Sequence, residues 1–187
     1  MNQYYLLAQL PSFSVEDVHG NLPITEEYFF DLCTRFLDKK SMKILSELSL
    51  EPPKTYKSTG SVFVDEWYKK ERSLRFALAQ IRALKLNKKY ELDENSFSPD
   101  IVQVARTATG MESPLSAELF LNKYRLDLIE SIRPNDSFSV DSVFEYALKL
   151  KLAQRMRKFD VETGMASYKK IYEKILGDNK WRIQKER

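Results

Sequence analysis

Residues 62–89 read VFVDEWYKKERSLRFALAQIRALKLNKK, and this stretch decides the fold. Trp67, Leu74, Leu78, Ile81 and Leu84 or Lys85 return along one side at three- and four-residue steps. Lys69, Lys70, Arg72, Arg75 and Arg82 crowd the flanks. That period belongs to a helix, not to the alternation of a strand. Ala77, Ala79 and Ala83 favour helix and permit close packing. A pattern of this length predicts a helix packed against several others. Glu71 and Arg75 stand four apart, a pairing worth about 0.2–0.5 kcal/mol on an exposed face.

The same period recurs on both sides of that helix. Thr25 can cap a helix whose first turn holds Glu26 and Glu27, with Phe29, Leu32, Cys33, Phe36 and Leu37 as its apolar face. After a break near Asp38–Ser41, Met42, Ile44, Leu45 and Leu48 mark a short helix, ended by Glu51-Pro52-Pro53. Downstream, Ser98-Pro99 and Ser113-Pro114 each read as a cap followed by proline at the first helical position. The first opens a short helix ending before Gly110, and the second a helix to about Ile132 with Leu115, Leu119, Leu126 and Ile129 inward. Ser139 caps the next, with Phe138 and Val143 placed as a hydrophobic staple. Its apolar side runs from Val143, Phe144, Ala147 and Leu148 to Leu152, Met156 and Phe159. A last helix spans about Ala166 to Leu176, closed by Gly177.

The reading is therefore an all-α, mainly helical protein of about seven helices, in a compact bundle or two small lobes. Residues 1–179 form one compact helical domain, and residues 180–187 a basic, flexible tail. At Tyr4-Tyr5-Leu6-Leu7, before Pro11, periodicity leaves a short N-terminal strand open as an alternative to a helical turn.

With 187 residues, 43% hydrophobic and 30% charged, the chain is apolar enough to fold without disulfides or metal. No run nears the about 18 apolar residues a bilayer span requires. The first ten residues lack a basic n-region, so no signal peptide is expected. Cys33 is the single cysteine, which rules out an intramolecular disulfide and makes the cytoplasm the expected compartment. The net charge of +3 hides four alternating blocks: −5 over 1–34, +8 over 35–89, −7 over 90–148 and +7 over 149–187. Such blocks suit segments that attract one another, or a bipolar surface that docks a partner directionally.

The search for catalytic groups finds little. His19 is the only histidine and lies in a loop beside Gly20, so with one His and one Cys no Cys/His zinc site can be completed. Cys33 falls on an apolar helix face, where a neutral buried thiol is expected. Carboxylates pair at Glu26–Glu27, Asp65–Glu66 and Glu91–Asp93–Glu94, at helix starts or in a loop, without an apolar setting to raise their proton affinity. No glycine-rich phosphate loop, nucleophile elbow or dinucleotide fingerprint occurs. No cofactor is expected, and the expected role is non-catalytic.

The opening Tyr4-Tyr5-Leu6-Leu7-Ala8-Gln9-Leu10-Pro11-Ser12-Phe13 resembles that of a small bacterial family encoded among the subunits of V-type ATPases, notably in Bacteroidetes. The resemblance extends to Trp67–Leu86 and Phe144–Ile175. That family is similar in setting to the C subunit of A/V-type ATPases, the counterpart of eukaryotic subunit d. The resemblance implies a helical, non-catalytic adaptor that sits on the membrane rotor ring and receives the central stalk. The C subunit is longer and three-lobed, so this chain would be a reduced version, peripheral at the cytoplasmic face through its complex. No catalytic residue is carried over.

Trp67, Arg72, Arg75, Arg155 and Arg157 are the expected interface positions, since arginine binds carboxylates with a planar fork. Along 149–158 the bases could also meet an acidic partner or a membrane surface, although the intervening apolar residues read as core. A basic nucleic-acid-binding or regulatory protein is the alternative and requires the two basic blocks to share one groove. A small-molecule enzyme is the third reading and requires a deep pocket with perturbed carboxylates.

Overall fold

A computed structural model describes residues 3–15, 21–55, 57–88, 97–158 and 161–185. Eight helices follow one another: α1 (Gln3–Gln9), α2 (Glu26–Phe36), α3 (Lys39–Glu47), α4 (Val62–Lys85), α5 (Pro99–Gly110), α6 (Pro114–Ser131), α7 (Val140–Arg157) and α8 (Val161–Lys185). The fold is mainly helical, with no strand among the described residues. His19, Glu91, Asp93, Glu94, Phe159 and residues 186–187 lie outside the described residues.

Side-chain caps start several of these helices. Thr25 accepts from the Tyr28 amide at 3.2 Å and Asp38 from the Lys40 amide at 3.1 Å. Ser61 and Ser113 do the same for Val64 and Ser116, at 3.1 and 3.4 Å. Each bond satisfies an amide that the helix itself leaves without a partner. Ser98 precedes Pro99 as expected but makes no capping bond. Helix α4 stops at Lys85, short of Lys89, because Asn87 takes a left-handed conformation at φ 53°. The Asn87 and Lys88 amides then return to the Leu84 and Ala83 carbonyls at 3.1 and 2.9 Å, which satisfies two of the final carbonyls.

Other expectations change. The N-terminal segment is helical, not a strand: Leu6 is buried while Tyr4 and Tyr5 stay exposed, and no neighbouring strand offers pairing. Phe138 lies 5.4 Å from the Tyr4 ring and stays partly exposed, while Val143 is fully buried. Leu84 and Leu119 are exposed, whereas Leu121 and Leu128 turn inward. Helix α8 passes through Gly177 to Lys185. One glycine costs about 1 kcal/mol in a helix and does not terminate it without a left-handed turn.

The chain separates into two compact units, residues 1–156 and 157–187, a boundary the sequence reading does not place. The first unit contains two apolar cores. The larger gathers Leu6, Phe29, Leu45, Trp67, Ile129 and Phe144, with much of α7. Helix α7 buries Phe144, Leu148, Leu150, Leu152 and Ala153 around its circumference, as a helix at the centre of a core must. The smaller core joins Leu74, Ala77 and Leu78 of α4 to Ile101 and Ala105 of α5 and Leu121 of α6. Helices α4 and α6 thus serve both cores.

Two polar groups report the dryness of the larger core. Burial pushes the Cys33 thiol up to about 12 and the Tyr146 phenol up to about 12, while the Tyr146 hydroxyl donates to the Pro11 carbonyl at 2.9 Å. The expected outcome is that iodoacetamide leaves Cys33 unmodified in native protein at pH 8 and alkylates it fully in urea. Mass spectrometry checks both. Rapid native alkylation would contradict the burial.

Candidate functional site

The expected interface residues are mostly occupied inside the first unit. Trp67 is wholly buried, with its indole N–H directed to the Ser49 carbonyl at 3.4 Å. A side chain with no exposed surface cannot face a partner, so Trp67 is a core residue. Arg72 is partly buried and donates to the Pro53 and Lys54 carbonyls at 2.7 and 3.2 Å. Arg75 binds Glu71 at 2.9 Å and approaches Glu51 at 3.6 Å. Arg155 on α7 binds Glu118 on α6, through its Nε at 3.1 Å. Arg157 is partly buried at the end of α7.

These contacts belong to a chain of alternating charge that sequence spacing alone does not connect. It runs Glu51, Arg75, Glu71, Arg125, Glu118, Arg155, with three acids and three bases. Its centre is Glu71, which is 0% exposed, and Arg125, which is 5% exposed. Arg125 places Nε 3.1 Å and Nη2 3.1 Å from the Glu71 carboxylate, and Nη1 3.1 Å from Asn122 Oδ1. The pair lies on α4 and α6 between the residues that feed the two cores. Breaking one side leaves an uncompensated buried charge, at a cost of about 3–5 kcal/mol, whereas replacing both by apolar groups costs far less. Accordingly, Glu71→Met and Arg125→Met should each lower unfolding stability by about 3–5 kcal/mol, and the double variant by less than either. Urea denaturation of the three variants measures the coupling; simple additivity would refute it.

A cleft of about 670 Å³ opens beside the first turns of α4. Lys40, Lys43, Ile44 and Glu47 line one wall, spaced as one stripe of α3. Thr55, Lys57 and Ser58 belong to the facing segment, and Val64 and Tyr68 of α4 form the floor. That segment is pinned to α4 at several points. Ser58 Oγ donates to Asp65 at 2.6 Å, the Thr59 amide to Asp65 at 2.8 Å, and the Tyr68 hydroxyl to the Glu47 carbonyl at 3.3 Å. Arg72 holds the segment from its other end. Gly60, at φ 89°, makes the turn into α4 beside the Lys40 side chain, a conformation that other residues adopt at a cost.

Asp65 thus acts as an anchor. Burial raises its proton affinity, but the bonds from Ser58 and Thr59 outweigh that and hold its carboxyl below the ordinary 3.8. A lowered folded-state value adds stability above the unfolded value, and that stability is lost as pH falls through the folded one. Asp65→Asn should therefore destabilise the protein at neutral pH and converge with the parent in strong acid. Thermal melts across the acid range test this; a constant difference would contradict it.

The second unit presents a different surface. Within α8 every described side chain is exposed, at residue 162 and residues 164–176. Met165, Tyr168, Ile171, Tyr172, Ile175 and Leu176 are all large and apolar, with Tyr168 62% exposed and Ile171 60%. The rings of Tyr168 and Tyr172 stack at 6.0 Å, one turn apart. Steps of three and four put these residues on one stripe, the pattern by which a helix meets another helix.

Many bases of the two positive blocks are paired within the chain: Lys69 and Lys70 with Glu66, Lys149 with Glu145 and Lys151 with Glu26. Among the described residues no three His, Cys, Asp or Glu side chains converge as metal ligands. No described helix is long and apolar enough to cross a membrane.

The fold and its surfaces define a helical protein with a pinned cleft and an apolar-faced C-terminal helix. Residues 88–178 match a family described as a protein of unknown function, DUF2764. The match takes in α5, α6, α7 and most of α8, and leaves the cleft outside it. No curated protein and no solved structure matches the chain.

Proposed function

We propose that the protein is a non-catalytic structural adaptor of a V-type ATPase, joining central-stalk subunits to the membrane rotor ring and held at the cytoplasmic face by those contacts. The observation that carries the adaptor role is α8, whose apolar stripe from Met165 to Leu176 is exposed. A contiguous apolar face of this kind marks a docking surface. A lone helix is marginal in water, so covering that face would also stabilise it. The ATPase setting is supported by the resemblance carried by residues 4–13, 67–86 and 144–175.

An adaptor must pass force without deforming, and the buried charge chain across α4, α6 and α7 supports that role by fixing helix register. It also directs the choice of test. Reversing Arg155 would break its bond to Glu118, so loss of binding there would report the fold as well as the surface. Ile171 and Tyr172 are exposed and make cleaner probes.

The experiment is mild purification of the V-type ATPase from the source cells with a tagged chain. The tagged protein should co-purify with stalk and ring subunits. Ile171→Asp/Tyr172→Asp should lose that association while retaining the parent's unfolding midpoint. A complete ATPase that never carries the chain would refute the ATPase setting, and full retention by the double variant would refute docking through α8.

A further inference from the structure

The cleft beside α3 is a second surface, independent of α8, and its chemistry is specific. Lys40, Lys43 and Lys57 line it, and none has an ion-pair partner among the described residues. The Thr55 hydroxyl also makes no hydrogen bond among the described residues. Of the two acids in the lining, Glu51 is drawn toward Arg75, at 3.6 Å, and Glu47 sits one helical turn beyond Lys43. Lys40 and Lys43 stand on one stripe of α3 and Lys57 on the facing segment, and Gly60 brings the turn close to the Lys40 side chain. The accessible apolar surface comes from Ile44 and Pro53, with Val64 and Tyr68 buried beneath them.

Hydrogen bonds from α4 hold the ends of both walls: Arg72 binds the Pro53 carbonyl, Asp65 the Thr59 amide and Tyr68 the Glu47 carbonyl. A volume of about 670 Å³ falls in the range of small-molecule sites, and a fixed cleft avoids the cost of ordering loops on binding. Three ammonium groups exceed what a single carboxylate neutralises, and they suit a doubly charged headgroup. Lysine binds phosphate as a point charge, without the fixed fork of arginine.

We propose that this cleft binds a small organic phosphate, with its headgroup among Lys40, Lys43 and Lys57 and its apolar body on Ile44 and Pro53. The Thr55 hydroxyl supplies a further donor to the phosphate oxygens. Glu47 marks the anion-excluding end and so orients the ligand.

Titration calorimetry of the full chain with phenyl phosphate and with inorganic phosphate tests the site, because the two share a headgroup and differ in the apolar body. Phenyl phosphate should bind about tenfold tighter than inorganic phosphate, from burial of its ring. Lys40→Gln/Lys57→Gln should weaken phenyl phosphate by about tenfold or more, and added salt should weaken the parent. Glu47→Gln should leave binding equal or tighter. The three substituted side chains are exposed, and unchanged melting of the variants verifies their folding. No saturable binding in the millimolar range, equal affinity for the two probes, an unaffected lysine variant, or weaker binding by Glu47→Gln would each overturn the proposal. None of these results bears on docking through residues 165–176.

Discussion

A carboxylate and a guanidinium removed from water govern this structure. Glu71 and Arg125 cannot be separated without stranding a charge in an apolar interior, so the register of α4 against α6 is fixed where they meet. The constraint acts between two cores. On one side α4 gives Phe63, Val64, Trp67 and Tyr68 to the larger core, and on the other it gives Leu74, Ala77 and Leu78 to the smaller. Sliding α4 by one turn would move both sets at once. Apolar packing alone tolerates shifts of that kind better, so the buried pair supplies specificity more than net stability. Arg75 and Glu51 extend the pair toward the cleft segment, and Glu118 and Arg155 extend it to α7.

The same helix performs a second task along its flank. Asp65, Tyr68 and Arg72 lie at successive three- and four-residue steps and hold the segment between α3 and α4. Fixing α4 therefore also shapes the cleft. The second unit contrasts with this. Its helix displays large apolar side chains at an exposure that the first unit reserves for a few scattered residues. A body locked by internal charge and a helix with an uncovered apolar stripe are the two features on which the proposed docking role rests.

Much of the architecture was legible because the signals were local. Thr25 and Ser113 cap where their sequence context predicts, since a cap depends on the next three residues. The N-terminal helix was ambiguous because seven residues hold too few turns to establish a period. Gly177 misled because glycine ends a helix only when the chain turns left-handed there. The arginines around Trp67 suggest a contact residue, yet its spacing to Leu74 and Leu78 places it on the core side, where it is buried. The buried pair carries a local signal as well: Glu71 falls on the same stripe, four residues after Trp67 and three before Leu74. A charge on an apolar stripe demands a partner, but which of the distant arginines supplies it depends on the packing of α6. The cleft was illegible for a related reason, because Lys40 and Lys57 come to line one cleft only through the course of the segment between them.

Native-state hydrogen exchange on the isolated full chain tests the central claim most directly, since it reads the locked body and the uncovered helix in one measurement. Amides of α4 and α6 around Glu71 and Arg125 should exchange last, at the rate set by global unfolding, and those of α8 should exchange far sooner. Protection of α8 equal to that of α4, or early exchange at the buried pair, would contradict the account.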